Sequence, residues 1–345
     1  MSHSNHKRLG FFTRLLDDVA PGERYRLAAE QIAHAERHGF DAAWVAQHHF
    51  HREEGGLPSP FVFLSHVAAR TSTIRLGTGI VTLPLEAPLR VAEDAVVFDL
   101  LSGGRLELGV GSGGTPSSFT AFGLDSANRG PIHGANLAVV RKAFLGEDVG
   151  GGNTLYPAAP QLADRIWQAT FSVDGGRRAG EAGDGLMLSR TQPRPKDDPG
   201  ASLAQLQDPI IDAYLAALPA GRAPRILASR SLFVADERAT ALEWADIGIR
   251  RVAKNFVASG HMLLGERLDD LIRTFDAHVG TVEDVIASLA TDSVLDRVTD
   301  ISFQVHSIDP PHELILRSIE LTATEVAPAL GWRADRAPRR VALAG

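Results

Sequence analysis

Short apolar runs alternate with longer helix-patterned stretches along this chain, and that rhythm constrains the fold more than any other feature. RLGFFT (8–13) is followed by ERYRLAAEQIAHAERHGF (23–40), where Leu27, Ile32 and Ala35 recur at helical spacing and Gly39 offers a C-cap. AAWVA (42–46) reads as a buried strand, PFVFLSHVAARTS (60–72) as a helix, and IRLGTGIVTLP (74–84) as a strand stopped by Pro84. APLRVAEDAVVFDLLSGG (87–104) predicts a helix that leaves through Gly-Gly into the strand RLELGVG (105–111). The later units keep the rhythm. A helix around 131–145 precedes RIWQAT (165–170), GRRAGEAG (176–183) and GLMLS (185–189). A strand at 225–234, helices between 236 and 290, DISFQVH (300–306) and a helix at 311–330 follow.

Strands apolar on both faces belong in a parallel sheet covered by helices. Counting gives about eight strand–helix pairs, the number for a (β/α)8 TIM barrel with insertions. A doubly wound open sheet is the alternative. Residues 190–224, beginning RTQPRPKDDPGAS, are rich in proline and charge and predict a surface insertion with the character of a lid. The rest reads as one barrel domain spanning 1–345.

Composition removes several function classes. With 345 residues, 44% hydrophobic and 22% charged, the chain can bury one large core. Its formal net charge is −7, and no basic cluster is interleaved with aromatics, which argues against a nucleic-acid partner. No apolar run approaches the ~20 residues of a membrane span. The N-terminal MSHSNHKRLGFFTRLL lacks the apolar core and cleavage site of a signal peptide, so a cytoplasmic protein is expected. Zero cysteines exclude disulfides, thiolate metal sites and a thiol nucleophile.

In a barrel, function sits at the C-terminal ends of the strands. The expected ends carry Gln47-His48-His49-Phe50, Gly77-Thr78-Gly79-Ile80, Gly109-Val110-Gly111-Ser112-Gly113-Gly114 and Thr170-Phe171-Ser172-Val173-Asp174-Gly175-Gly176. Ser172 and Asp174 are N-cap types, and free N–H groups at a helix start favour a phosphate; an ordinary capped helix has the same signature. GVGSGG has GxGxxG-like spacing but is not the first βα turn, and no acidic residue placed for a ribose follows it. Its small residues make better sense as room for something flat at the rim.

The stretch WVAQHHFHREEGGLPSP (44–60) concentrates imidazoles. A metal would require His48, His49 and His51, with His306 as a further ligand, to converge within about 2.0–2.2 Å of the ion. In an extended segment, however, His48 and His49 point to opposite sides. Histidines hydrogen-bonded within a polar loop, or one imidazole moving protons at the rim, are the other readings.

GFDAAWVAQHHF, then IRLGTGIVTLPLEAPLRVAEDAVVFDLLSGGRLELGVGSG, and finally VGTVEDVIASLA, FQVH and EVAPAL, in that order, resemble the bacterial luciferase-like family of flavin-dependent monooxygenases. The resemblance implies a (β/α)8 barrel with insertions, usually dimeric. It implies reduced flavin at the rim, forming with O2 a C4a-peroxide that attacks an organic substrate. The His-His-Phe form is closer to FMN users than to deazaflavin users. His48 matches the position implicated in catalysis, a proton-transfer role worth about 10²–10⁴-fold, with His49 and His51 structural. Gly79-Ile80 matches a non-proline cis bond beside the flavin ring. Gly111 and Ser112 match the glycine-rich strand end, and Thr170, Phe171, Ser172 and Val173 the phosphate-binding turn.

The chain also departs from the pattern. Ser112 stands where luciferase has a phosphate-binding arginine, leaving Arg177, Arg178 or backbone N–H groups to substitute. Gly175 replaces a hydroxyl, and Gln47 a frequent glutamate. The resemblance therefore predicts an FMN-dependent monooxygenase acting on a small organic substrate. It would be a homodimer supplied with reduced FMN by a separate flavin reductase, with a dry pocket lined by Phe11, Trp44, Phe50, Leu108 and Phe171. A deazaflavin-dependent oxidoreductase of the same family, a non-catalytic flavin-binding protein and a metal-dependent barrel hydrolase are the alternatives.

Overall fold

Parallel pairing closes on itself in this computed structural model, which describes residues 6–333. Residues 1–5, part of the N-terminal stretch weighed for a leader, and 334–345, the end of the expected 1–345 domain, lie outside the described residues. The strands are β1 (Arg8–Thr13), β2 (Ala42–Val45), β3 (Arg75–Thr78), β4 (Val81–Thr82), β5 (Leu106–Gly111), β6 (Ile166–Ala169), β7 (Gly185–Leu188), β8 (Ile226–Val234), β9 (Ala277–Gly280) and β10 (Asp300–Gln304). Eight of them, β1-β2-β3-β5-β6-β7-β8-β10, form the barrel, and β10 pairs with both β8 and β1 to close it. β4 extends the rim beside β5. β9 pairs with the far end of β8, which is long enough to serve two partners.

Helices follow the strands. α1 (Pro21–Arg37), α2 (Pro60–Ala68), α3 (Pro88–Leu101) and α4 (Pro116–Ala121) each start on a proline, whose fixed φ and missing N–H suit the first helical position. α5 (Arg129–Phe144), α6 (Val173–Glu181), α7 (Leu203–Ala217), α8 (Arg238–Ala258), α9 (Leu268–Thr274), α10 (Val282–Leu289) and α11 (His312–Leu321) complete the layer. The open doubly wound alternative is excluded by the closure.

Two segments differ from the sequence expectation. The single strand read over 74–84 is split, because the Gly79–Ile80 peptide is cis and separates β3 from β4. Within 190–224, α7 occupies 203–217 rather than being part of a loop. Ser202 and Gln205 form a reciprocal capping box, and Leu203, Ile210, Ile211 and Tyr214 are buried. The Tyr214 hydroxyl donates to the Asp184 carbonyl at 2.8 Å. Proline and charge had masked this helix, which carries Pro209 in its interior. The loop proper within that insertion is therefore 190–202.

Strand alternation divides the core in two. Leu9 and Phe11 face outward into the helix layer, with Leu106 and Leu108 beside them in the same apolar cluster. The inward set is smaller: Trp44, Trp167, Met187, Leu227 and Ala42 pack inside the barrel. The two indoles meet edge-to-face with centroids 5.7 Å apart. Trp167 Nε1 donates to Glu107 Oε2 at 2.7 Å, and Arg75 pairs with the other oxygen of that carboxylate. This layer closes the barrel interior beneath the strand C-termini.

Candidate functional site

Above the indole layer lies a cavity of about 1530 Å³ at the C-terminal ends of the strands. Its apolar wall includes Phe12, Ile80, Met187 and Leu227. The wall expected from sequence was one residue out of register. Phe12 lines the cavity and Phe11 does not, since neighbouring residues on β1 face opposite sides. Leu108 faces the helices for the same reason, Trp44 lies in the layer beneath, and Phe50 is 71% exposed at the rim. Of the five expected residues, Phe171 lines the cavity.

β2 delivers His48 to this cavity. The preceding Gln47 is fixed from three sides: its Nε2 donates to Glu86 Oε1 at 2.6 Å and to the Pro58 carbonyl at 3.1 Å, and its Oε1 accepts the Thr82 N–H at 2.7 Å. His48 Nδ1 lies 3.6 Å from Glu54 Oε2, longer than a formed hydrogen bond and an ion pair only when the imidazole is protonated. Burial lowers the pKa of His48, with Glu54 opposing the shift. Glu54 itself is held down to about 2, chiefly by the His48 imidazole. The imidazole is therefore neutral at neutral pH.

His49 also lines the cavity and packs edge-on against Phe122, with ring centroids 5.0 Å apart. His51 Nε2 is 2.8 Å from Ser117 Oγ, and His306 Nδ1 is 2.8 Å from Asp309 Oδ2. The four histidines weighed for a metal hydrolase thus have separate partners and do not converge. Among the described residues the histidine and carboxylate group with metal-like spacing is His34, His38 and Glu320, outside this cavity.

Across the cavity lie Gly79, Ile80, Gly111 and Ser112. A Cβ on Gly111 would come within 2.9 Å of Ile80 Cδ1, so the absent side chain keeps this wall flat. Thr170, Phe171 and Ser172 line the cavity where β6 turns into α6. Ser172 N donates to Thr170 Oγ1 at 3.1 Å, and Gly175 N donates to Ser172 Oγ at 3.1 Å. A Cβ on Gly175 would fall inside the van der Waals shell of the Thr170 hydroxyl, so the turn requires glycine there. Val173, grouped with these residues from sequence, is 49% exposed and its side chain does not line the cavity. Arg178 reaches the cavity and Arg177 does not; both are tied to Asp174.

Sequence reasoning missed several cavity residues. Arg14 follows β1, Arg190 follows β7, and Arg129 and His133 come from α5. For Arg14 and Arg190 the signal was available in their positions one or two residues beyond a strand end, but single arginines stand out less than paired histidines or glycine runs. Arg129 and His133 lie within a helix and carry no such signal.

Flavin chemistry needs a wide chamber, a flat wall, an anion-compatible turn and buried polar atoms without partners. The residues present fit. His49 Nε2, His133 Nδ1 and Arg14 Nε are buried with no hydrogen-bond partner, and the volume exceeds that of a pocket for one drug-sized ligand.

Residues 9–298 match the family model described as luciferase-like monooxygenase. The chain is 30% identical to the 4-hydroxyprotoasukamycin monooxygenase of Streptomyces nodosus subsp. asukaensis, over 89% of this chain and 90% of that protein. Among solved structures, a monooxygenase from Streptomyces bottropensis is 25% identical, with a TM-score of 0.75 over 93% of this chain and 99% of that one. The FMN-bound oxygenating constituent of 3,6-diketocamphane monooxygenase from Pseudomonas putida has a TM-score of 0.72 at 17% identity, covering 94% and 98% of the two chains. A coenzyme F420-dependent secondary alcohol dehydrogenase, in complex with an F420–acetone adduct, has a TM-score of 0.67 at 15% identity, covering 95% and 99%.

Proposed function

The chain belongs to the luciferase-like monooxygenase family, and from that premise we propose that it is an FMN-dependent monooxygenase that uses reduced FMN and O2 to oxygenate a small organic substrate in the rim cavity. The observation that carries this reading is the meeting, in one cavity of about 1530 Å³, of His48, the Gly79–Ile80 wall and the Ser172 turn. That volume suits a flavin nucleotide with a second molecule beside it.

Gly79, Ile80 and Gly111 would bound the ring of the cofactor. Ser112, Thr170, Phe171, Ser172 and the backbone N–H groups at the start of α6, Val173 included, would hold its phosphate end. Arg178 supplies positive charge there in place of the arginine that Ser112 lacks. Reduced flavin, when bound, supplies the electrons that activate O2. His48 holds and returns a proton: its neutral imidazole accepts one, and with Nδ1 facing Glu54, Nε2 is the nitrogen left to exchange it. The apolar wall of Phe12, Ile80, Met187 and Leu227 excludes water from the reacting atoms.

Three accompanying features belong to the same proposal. A separate flavin reductase delivers reduced FMN, both proteins acting in the cytoplasm. The loop 190–202 acts as a lid. A second copy of the chain covers Val62, Val97, Leu100 and Leu101, which are exposed on α2 and α3. No helix among the described residues is long and apolar enough to cross a membrane.

The deciding experiment is an anaerobic titration with reduced FMN, followed by rapid mixing with oxygenated buffer, on wild type and His48→Ala. The expected result is tight binding and a long-lived absorbance transient distinct from oxidised FMN, which shortens in the variant. Binding of reduced F420 without binding of reduced FMN would replace this reading with the deazaflavin one. Binding without any transient would leave a flavin carrier.

A further inference from the structure

Arg14 and Arg190 enter the cavity from the ends of β1 and β7. Arg190 is 4% exposed, and its one side-chain hydrogen bond is from Nη1 to Ser307 Oγ at 3.3 Å. Arg14 Nε is buried with no hydrogen-bond partner. Among the described residues, no carboxylate lies within ion-pair distance of either guanidinium. The nearby acids are already committed. Asp309 is 2.8 Å from both Arg251 Nη2 and His306 Nδ1, Asp276 is 2.6 Å from Arg194, and Glu54 faces His48 and accepts the Thr115 hydroxyl.

The two cations also repel each other. Burial, with Arg14 adding to it, pulls the Arg190 pKa down to about 9, so it remains charged at neutral pH. Burial likewise lowers the pKa of Arg14. Asp309, Glu54 and Asp276 oppose these shifts from a distance, but none pairs directly with either guanidinium, and a cation left without a direct partner in a cleft is costly unless a ligand provides one. Arg14 also acts electrostatically on His48, which puts this unpaired guanidinium near the imidazole assigned the proton.

We propose that Arg14 and Arg190 form an oxyanion subsite, and that the organic substrate carries a carboxylate or an ionised acidic hydroxyl that binds there and presents the neighbouring carbon framework to His48. The assignment of this anion to the substrate rests on reading the cavity as a monooxygenase chamber. Guanidinium forks match a planar, two-oxygen anion and pair poorly with a neutral amide or hydrocarbon. Gln304 Oε1, which is buried and unpartnered in the same cavity, adds an acceptor for a hydroxyl on the same ligand.

The test measures equilibrium binding of benzoate and of benzamide, its neutral isostere, to the full-length protein by isothermal titration. Wild type, Arg14→Met, Arg190→Met and Arg190→Lys are compared, and circular dichroism and thermal melting check that each variant folds. Wild type is expected to favour benzoate at least tenfold. Each Met variant should lose roughly 10- to 100-fold of benzoate affinity with benzamide unchanged, and Arg190→Lys should recover part of it. Equal affinity for acid and amide in wild type overturns the proposal without needing any variant.

Reduced FMN is titrated anaerobically into the same proteins. If the Met variants lose reduced-FMN affinity while benzoate binding is unaffected, the cations serve the cofactor and the substrate assignment is overturned. If wild type binds benzoate through the arginines but no reduced FMN, the subsite stands and the cofactor reading fails.

Discussion

Glu54 Oε2 stands 3.6 Å from His48 Nδ1 and accepts the Thr115 hydroxyl at 2.7 Å, so the carboxylate is anchored on α4's side of the rim while it faces the imidazole. Burial and Glu54 push the His48 pKa in opposite directions, with burial dominant. Removing the carboxylate by Glu54→Gln should lower that pKa further. The acid limb of the kcat–pH profile is expected to move to lower pH, and the His48 ring signals in an NMR titration should move with it. An unshifted titration would show that Glu54 does not tune the imidazole. His48→Ala should lower kcat by about 10²–10⁴-fold.

Gly175 to Ala is the sharpest test of the α6 turn. The added methyl collides with the Thr170 hydroxyl, which accepts the Ser172 N–H. Relieving the clash should distort the turn, costing about 1–3 kcal/mol of stability and roughly tenfold or more in FMN affinity. Removing the obstructing side chain with the double variant Gly175→Ala/Thr170→Gly should recover part of the stability but not the FMN affinity, because it also removes the hydroxyl that accepts the Ser172 N–H. Urea denaturation and FMN titration provide the two readouts, and unchanged affinity in the single variant would separate the turn from the cofactor.

The barrel was legible because its strands are short and apolar on both sides, a pattern that open surfaces do not produce. Strand ends were equally legible as glycine or histidine clusters, so seven of the eight proposed cofactor residues and His48 lie along one cavity. Inward and outward facing was not legible. RLGFFT carries adjacent phenylalanines, and nothing in the string says which of Phe11 and Phe12 meets the helices. α7 was hidden by the proline-rich approach to it, although Ser202 and Gln205 have the capping-box spacing. The arginines at positions 14 and 190 had no repeated pattern to mark them beyond their place after a strand end; the buried Arg14 Nε and the buried Arg190, neither with a carboxylate partner, single them out in the structure.

Acid should destabilise the protein through its buried imidazoles. His278 on β9 is 8% exposed, sits 2.8 Å from Ser288 Oγ, and is pulled down to about 4 by burial, with Arg230 adding to the effect. Burial similarly brings His306 to about 4. In the unfolded chain such rings titrate near 6.5. Above that pH both states hold the ring neutral. Between about 6.5 and 4 the unfolded chain binds the extra proton, and stability falls as pH falls. Each such histidine contributes a slope of up to ~1.4 kcal/mol per pH unit across that window. His278→Asn should flatten the unfolding free energy against pH by one proton's worth, as measured by urea melts from pH 7 to 4.

The loop 190–202 should become less accessible when FMN binds. Gln192 Nε2 donates to the Phe171 carbonyl at 2.9 Å, joining the loop to the proposed phosphate turn, and Arg194 anchors it to Asp276. Lys196 is exposed just beyond these ties and offers trypsin a cleavage site. Cleavage after Lys196 is expected to slow several-fold with FMN present. Identical rates with and without FMN would remove the lid.

The edge-to-face contact of Trp44 with Trp167 makes the chamber blind-ended. Ligands cannot leave through this floor, so of two that occupy the chamber together the deeper one must pass the rim to escape. A shallower ligand that spans the rim slows the exchange of the deeper one with solvent. Two indoles that line neither the cavity nor its charged residues thus bias the order in which its ligands come and go.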